Sequence, residues 1–113
     1  MSRQITFSAV GADGMQRLKA AMARLRSAPP TRLLDAPATL RDYAHDSEAA
    51  DLVVLRAEEQ RMCVRPSGTE PKLKVYLHAR LEVQPDESFV GCSARAKTTL
   101  DRLEAEARAA VAW

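Results

Sequence analysis

Residues 61–81, RMCVRPSGTEPKLKVYLHARL, hold two strands and the turn between them, and their pattern decides the fold. From Lys72 onward the chain alternates without a break. Leu73, Val75, Leu77, Ala79 and Leu81 fall on one side, and Lys72, Lys74, Tyr76, His78 and Arg80 on the other. Successive side chains of a strand point to opposite faces, so a period of two predicts an antiparallel strand with one buried face. Residues 61–64 read as the preceding strand, with Met62 and Val64 sharing a face. The segment 65–72, RPSGTEPK, is then a turn held at both ends.

The chemistry of that turn suits an anion. Pro66 and Pro71 each fix φ near about −65°, so the loop has little conformational freedom left to lose when a ligand arrives. Between them, Gly68 can take up a positive φ and let backbone approach a ligand. The hydroxyls of Ser67 and Thr69 and consecutive N–H groups can converge on an oxyanion. Arg65 adds a planar fork of donors that matches two phosphate oxygens, and Lys72 and Lys74 add charge nearby. Ser, Gly, Thr and Pro are also ordinary turn formers, and an unliganded charged hairpin would use the same residue types. Residue chemistry alone leaves both readings open. The GxxxxGK[ST] spacing of a nucleotide-binding loop is absent and no helix start follows, which disfavours an ATPase.

Outward from the hairpin, the chain reads as scaffold. Residues 3–10 place Ile5, Phe7 and Ala9 at alternate positions, a short strand. Asp13 is placed to cap the next helix, whose Met15, Leu18, Met22 and Leu25 recur at helical spacing as one buried stripe. Arg17 and Arg24 lie opposite the stripe, Lys19 and Arg26 on its flank, and Pro29-Pro30 stops the helix. Residues 31–35 and 39–43 are weaker strand candidates separated by Pro37, whose missing donor suits a bend or an edge. The continuous apolar run in residues 51–56 fits a central strand, and Glu58, Glu59 and Gln60 turn it tightly into the strand that leads to Arg65. A closing helix begins between Asp86 and Ser93 and buries Ala96, Leu100, Leu103, Ala107 and Val111. Trp113 is either a loose end or an anchor. The expected fold is α+β: β-α-β-β-β-β-α, with two helices on one face of a four- to five-stranded antiparallel sheet.

Composition bounds the function. A chain of 113 residues with 46% hydrophobic content suits one domain, residues 1–113, with a core of its own. Its net charge of +2 is spread along the sequence and does not suggest a general nucleic-acid binder. Tyr76 is the one ring available on the exposed side of the long strand, which is poor material for stacking bases. No apolar run is long enough to span a membrane and no leader is recognisable, so a cytoplasmic setting with reduced Cys63 and Cys92 is expected. His45 and His78 are too isolated to suggest a metal site and are expected at the surface or a sheet edge.

RPSGTEPK followed by LKVYL closely resembles the phosphate-binding loop in the last domain of the α-D-phosphohexomutases, the phosphoglucomutase and phosphomannomutase family. The resemblance extends more loosely over the chain, through the helix ending in ARLRSAPP and the closing helix. It implies a TATA-binding-protein-like fold and a loop that grips the non-reacting phosphate of a phosphosugar. By the same resemblance Arg65, Ser67, Gly68 and Thr69 are the phosphate ligands and Lys72 a supporting charge, while Glu70 shapes the loop. These residues would position and polarise; they would not make bonds.

The sequence lacks the other parts of such an enzyme. There is no serine segment like TASHNP, no DGDxDR-like aspartate loop and no GEESG-like sugar-reading loop. Asp13-Gly14 offers a single carboxylate, whereas Mg²⁺ takes several oxygens. Ser67 has no neighbouring base in sequence, so no catalytic or metal residue is expected on this chain. The expectation is a phosphohexomutase domain, an isomerase part that is inactive alone. Its partners would be a phosphosugar and the missing N-terminal domains, not nucleic acid or a membrane. Mg²⁺ and a hexose 1,6-bisphosphate are implied for the full enzyme only. The alternatives are a freestanding phosphometabolite-binding module and, more remotely, a nucleic-acid-binding domain.

Overall fold

A computed structural model describes residues 1–9, 11–45, 50–68 and 70–113. The 61–81 stretch forms the predicted hairpin: β6 (Gln60–Pro66) pairs antiparallel with β7 (Lys72–Ala79), with Met62 opposite Leu77 and Val64 opposite Val75. Leu73, Val75, Leu77 and Ala79 are fully buried, while Tyr76 and His78 on the other side are exposed. Each fully buried Val or Leu contributes about 1.5–3 kcal/mol relative to exposure, so this face anchors the domain.

Strands are added on both sides of the hairpin. β1 (Ser2–Ser8) pairs with β7 and sets Ile5 against Val75 and Phe7 against Leu73. On the other side, β5 (Val53–Arg56) pairs with β6, and β4 (Thr39–Asp42) with β5. The sheet is antiparallel throughout, with spatial order β1-β7-β6-β5-β4. The apolar run of β5 is thus an inner strand, as its composition predicts, and Ala57 N–H to Gln60 C=O, at 2.9 Å, closes the tight turn after it.

Two helices cover the Leu73–Val75–Leu77 face: α1 (Ala12–Ser27) and α2 (Phe89–Val111). α2 buries the predicted stripe of Ala96, Leu100, Leu103, Ala107 and Val111. It starts at Phe89, because the Ser88 hydroxyl accepts the Gly91 N–H at 3.0 Å; neither Asp86 nor Ser93 is the cap. α1 departs from expectation at its first turn. Gly11, at φ 86°, is its N-cap position and no side chain caps it, so Asp13 lies inside the helix. Met15 is 39% exposed, and the buried stripe runs instead through Gly14, Leu18, Ala21, Met22 and Leu25. The helix is rotated so that glycine, not methionine, meets Pro71 and the Ala9 backbone just past β1, which lets the segments approach closely.

Residues 31–35 form no continuous strand. β2 (Arg32–Leu33) and β3 (Ala36–Pro37) make a separate small hairpin whose turn residues Leu34 and Asp35 have φ of 49° and 68°. This conformation is rare outside glycine and is held from outside: the Glu106 carboxylate of α2 accepts the Leu34 N–H at 2.9 Å. Leu33 is inserted into the core.

Ion pairs tie the layers together. Arg3 of β1 meets Asp101 at 2.7 Å and Glu104 at 3.2 Å on α2. Arg26 of α1 meets Asp42 at 3.0 Å and Asp51 at 2.7 Å, fixing the helix to both sides of the β4–β5 connection. Trp113 is an anchor: its Nε1 donates to the Ser8 carbonyl at 3.3 Å and its ring tilts against Phe7.

Candidate functional site

The described residues of the turn between β6 and β7 are held by contacts that lie partly outside it. Ser67 N–H donates to the Lys72 carbonyl at 2.8 Å, and Lys72 N–H to the Glu70 carbonyl at 2.7 Å. The Pro71 carbonyl accepts the Ala9 N–H at 3.1 Å, binding the loop to the end of β1. Gly14 lies so close behind Pro71 that a Cβ there would come 2.8 Å from the proline Cβ. The loop is therefore pinned from within, from β1 and from α1.

The sequence-predicted residues divide between two sides of this loop. Arg65 stands on the sheet face away from the helices, opposite Lys74 in the β6–β7 register, and is exposed. Ser67 and Gly68 line the other side, a groove of about 370 Å³ walled by Met15, Lys19 and Arg26 of α1 together with Asp51. Thr69 lies outside the described residues. Lys72 Nζ is 2.8 Å from the Glu70 carboxylate, and that hydrogen bond, reinforced by charge, holds the Glu70 carboxyl below its ordinary range. Glu70 is thus engaged with Lys72 within the loop, and Lys72 brings a charge that is already partly balanced.

Gly68 has no positive φ; among the described glycines only Gly11 does. A Cβ at position 68 would meet nothing within 4 Å. The glycine is not required by the chain's own conformation, so its use would lie in the open space above the backbone. The Ser67 N–H is engaged within the hairpin, so it does not point freely into the loop as a convergent set of N–H groups would need. Lys19 is the residue that sequence reading passed over at this site. Its place on the flank of the α1 stripe was legible, but its proximity to Ser67 and Gly68 follows from how α1 docks.

Charge on the open sheet face is one-sided at this end. Arg65 and Lys74 are directly opposed, an arrangement that costs sheet stability unless an anion offsets it. Between Arg61 and Arg65 the Cys63 thiol is half-buried; burial pushes its pKa up, and the two guanidiniums pull it partly back. No helix among the described residues is long and apolar enough to cross a membrane.

The sequence model of one family, described as phosphoglucomutase/phosphomannomutase, C-terminal domain, matches residues 16–87, more than half of the chain and the whole of the loop. The chain belongs to that family. The family's match runs from the first half of α1 through β7 and stops just before α2. The chain is also similar to a protein of Haemophilus influenzae named probable phosphomannomutase, with 39% identity over 61 residues. That stretch is 52% of this chain and 13% of the relative. The phosphohexomutase-domain fold is thus an α+β sheet with both helices on one face, compatible with a TATA-binding-protein-like arrangement.

Proposed function

We propose that this chain is the substrate-phosphate-recognition domain of a phosphoglucomutase- or phosphomannomutase-type enzyme. The observation that carries the reading is the RPSGTEPK hairpin, pinned by Ala9 and Gly14 and flanked by the opposed cations Arg65 and Lys74. In this reading Arg65, Ser67, Gly68, Thr69 and Lys72 hold the phosphate of a phosphosugar that is not reacting. A loop with little freedom left to lose holds an anion at small entropic cost, and cationic donors aimed at it supply electrostatic stabilisation. Recognition of phosphate, and not of a particular hydroxyl, lets a bisphosphorylated sugar be released, turned and gripped again by its other end between half-reactions.

The chemistry itself would take place on the other domains of the enzyme, which are this domain's partners in a cytoplasmic setting. The nucleophilic serine, the Mg²⁺ site and the response to a hexose 1,6-bisphosphate belong there, and this chain by itself would be inactive. The test is a titration of the 113-residue chain with glucose 1-phosphate, inorganic phosphate and a short oligonucleotide, followed by backbone amide shifts. Weak, millimolar shifts with both phosphates, confined to residues 65–72, are expected. Micromolar affinity for one sugar phosphate would point instead to a freestanding phosphometabolite-binding module. A salt-sensitive oligonucleotide response spread across the sheet, with no phosphate response at the loop, would refute both.

A further inference from the structure

At the end of the sheet remote from the loop, Arg56 of β5 and Arg61 of β6 stand directly opposite each other. Across the next register lies His78 of β7, opposite Arg61, with its Nδ1 3.0 Å from the Ser2 hydroxyl. Like charges placed in direct opposition destabilise a sheet, so a second such pair beside Arg65 and Lys74 calls for a reason. Elsewhere Arg3, Arg26, Arg95 and Arg108 each meet a carboxylate, while Arg24 and Arg32 donate to backbone carbonyls and Arg17 lies over the Trp113 ring. Among the described residues, Arg56, Arg61, Arg65 and Lys74 form no ion pair, and only Lys74 is near enough to a carboxylate, that of Glu70, to act on it through charge. No strand turns a carboxylate to this face, because Asp42 of β4 alternates to the helix side and pairs with Arg26. The net charge of +2 conceals this segregation.

The floor between the charges is apolar and concave. Val54, Cys63 and Tyr76 lie side by side across three strands, under a hollow of about 670 Å³ that reaches Arg56, Arg61 and His78. This is several times the space a phosphate fills, and its floor suits an aliphatic side chain. We propose that this face docks an acidic polypeptide segment, whose carboxylates pair with Arg56 and Arg61 while an aliphatic side chain covers Cys63 and the exposed ring of Tyr76. Guanidinium and carboxylate match as bidentate pairs, and desolvation over an apolar floor strengthens them. Nucleic acid fits less well, since base stacking needs free rings. Tyr43 at the rim has the Arg41 guanidinium 4.5 Å from its ring centroid, which leaves Tyr76 as the open ring on the floor.

The test uses the full chain and a labelled peptide of alternating glutamate and leucine, with a lysine–leucine peptide and a short DNA of equal charge as comparisons. Saturable binding of the acidic peptide is expected, weakened by salt, with amide shifts at Val54, Cys63, Tyr76 and His78. The double variant R56E/R61E should lower affinity by at least about tenfold, and R56Q/R61Q by less, both with unchanged circular dichroism and urea midpoint. These side chains are exposed, so folding is not at stake. Absence of saturable peptide binding, undiminished affinity in the folded R56E/R61E variant, or tighter binding of the DNA at the same residues would each overturn the proposal.

Discussion

Gly14 and Pro71 are in contact so close that the glycine has no room for a side chain: a Cβ at position 14 would sit 2.8 Å from the Pro71 Cβ and 3.2 Å from the Ala9 carbonyl oxygen. The first turn of α1 is therefore the back wall of the β6–β7 loop, and the position of the loop depends on a residue far from it in sequence. Gly14→Ala should destabilise the domain by about 1–3 kcal/mol, the usual cost of forcing atoms into a packed contact. Urea unfolding measures this, and because Pro71→Gly removes the clashing Cβ, the double variant should lose less than the sum of the two single losses. A stability unchanged by Gly14→Ala would mean that the loop yields easily and is not pinned from behind.

Gly68 is the converse case, a glycine that the fold does not need. Gly68→Ala should leave stability within about 0.5 kcal/mol of the parent, as for a surface substitution. Phosphate-induced amide shifts at the loop should weaken all the same, because the added methyl occupies the space above the backbone. Equal phosphate affinity in the two proteins would remove Gly68 from the set of ligands.

Arg65 is exposed and unpaired among the described residues, so its removal should cost little stability. Placed in a full-length phosphohexomutase carrying this domain, Arg65→Ala should lower kcat/KM by roughly 2 kcal/mol or more, the loss of a charge-assisted hydrogen bond to substrate. Steady-state kinetics on the two enzymes decides it, and a negligible change would show that Arg65 does not touch substrate.

Glu87, just before α2, is held by two hydrogen bonds from Arg95, at 2.8 and 3.0 Å, and accepts the Gln84 N–H. Chiefly through Arg95 its carboxyl is lowered from 4.5 to about 2. A carboxyl whose pKa is lower folded than unfolded binds protons more readily in the unfolded chain. Its contribution is therefore present above about pH 4.5 and is lost as pH falls toward 2. Urea midpoints of the parent should fall through that window, and those of Glu87→Gln should fall less steeply. Parallel curves would show that the Arg95 contact persists in the unfolded state or carries no net stability.

Much of the fold was written in local pattern. The strict alternation from Lys72 fixed β7 and its buried side, although the strand ends at Ala79 and leaves Leu81 outside it; the apolar run at 53–56 fixed an inner strand, and the spacing of Leu100, Leu103, Ala107 and Val111 the inward face of α2. Pattern failed where a long-range contact overrode it. Met15 has the right spacing for the α1 stripe, yet it is displaced by Gly14, because helix and loop must touch. Residues 31–35 have strand-like composition, but Glu106 from α2 holds Leu34 in a left-handed turn that no local signal announces.

The sequence by itself determined the hairpin, the class of the fold and the chemical identity of the loop, since alternation, proline placement and the residues of RPSGTEPK are all local properties. Tertiary structure decided how those parts face. It set Ser67 and Gly68 beside Lys19 and Arg65 opposite Lys74, and gathered Arg56, Arg61, Arg65 and Lys74 on one side of the sheet. Strand order and helix rotation come from packing between segments remote in sequence, and which charges become neighbours follows from that packing alone.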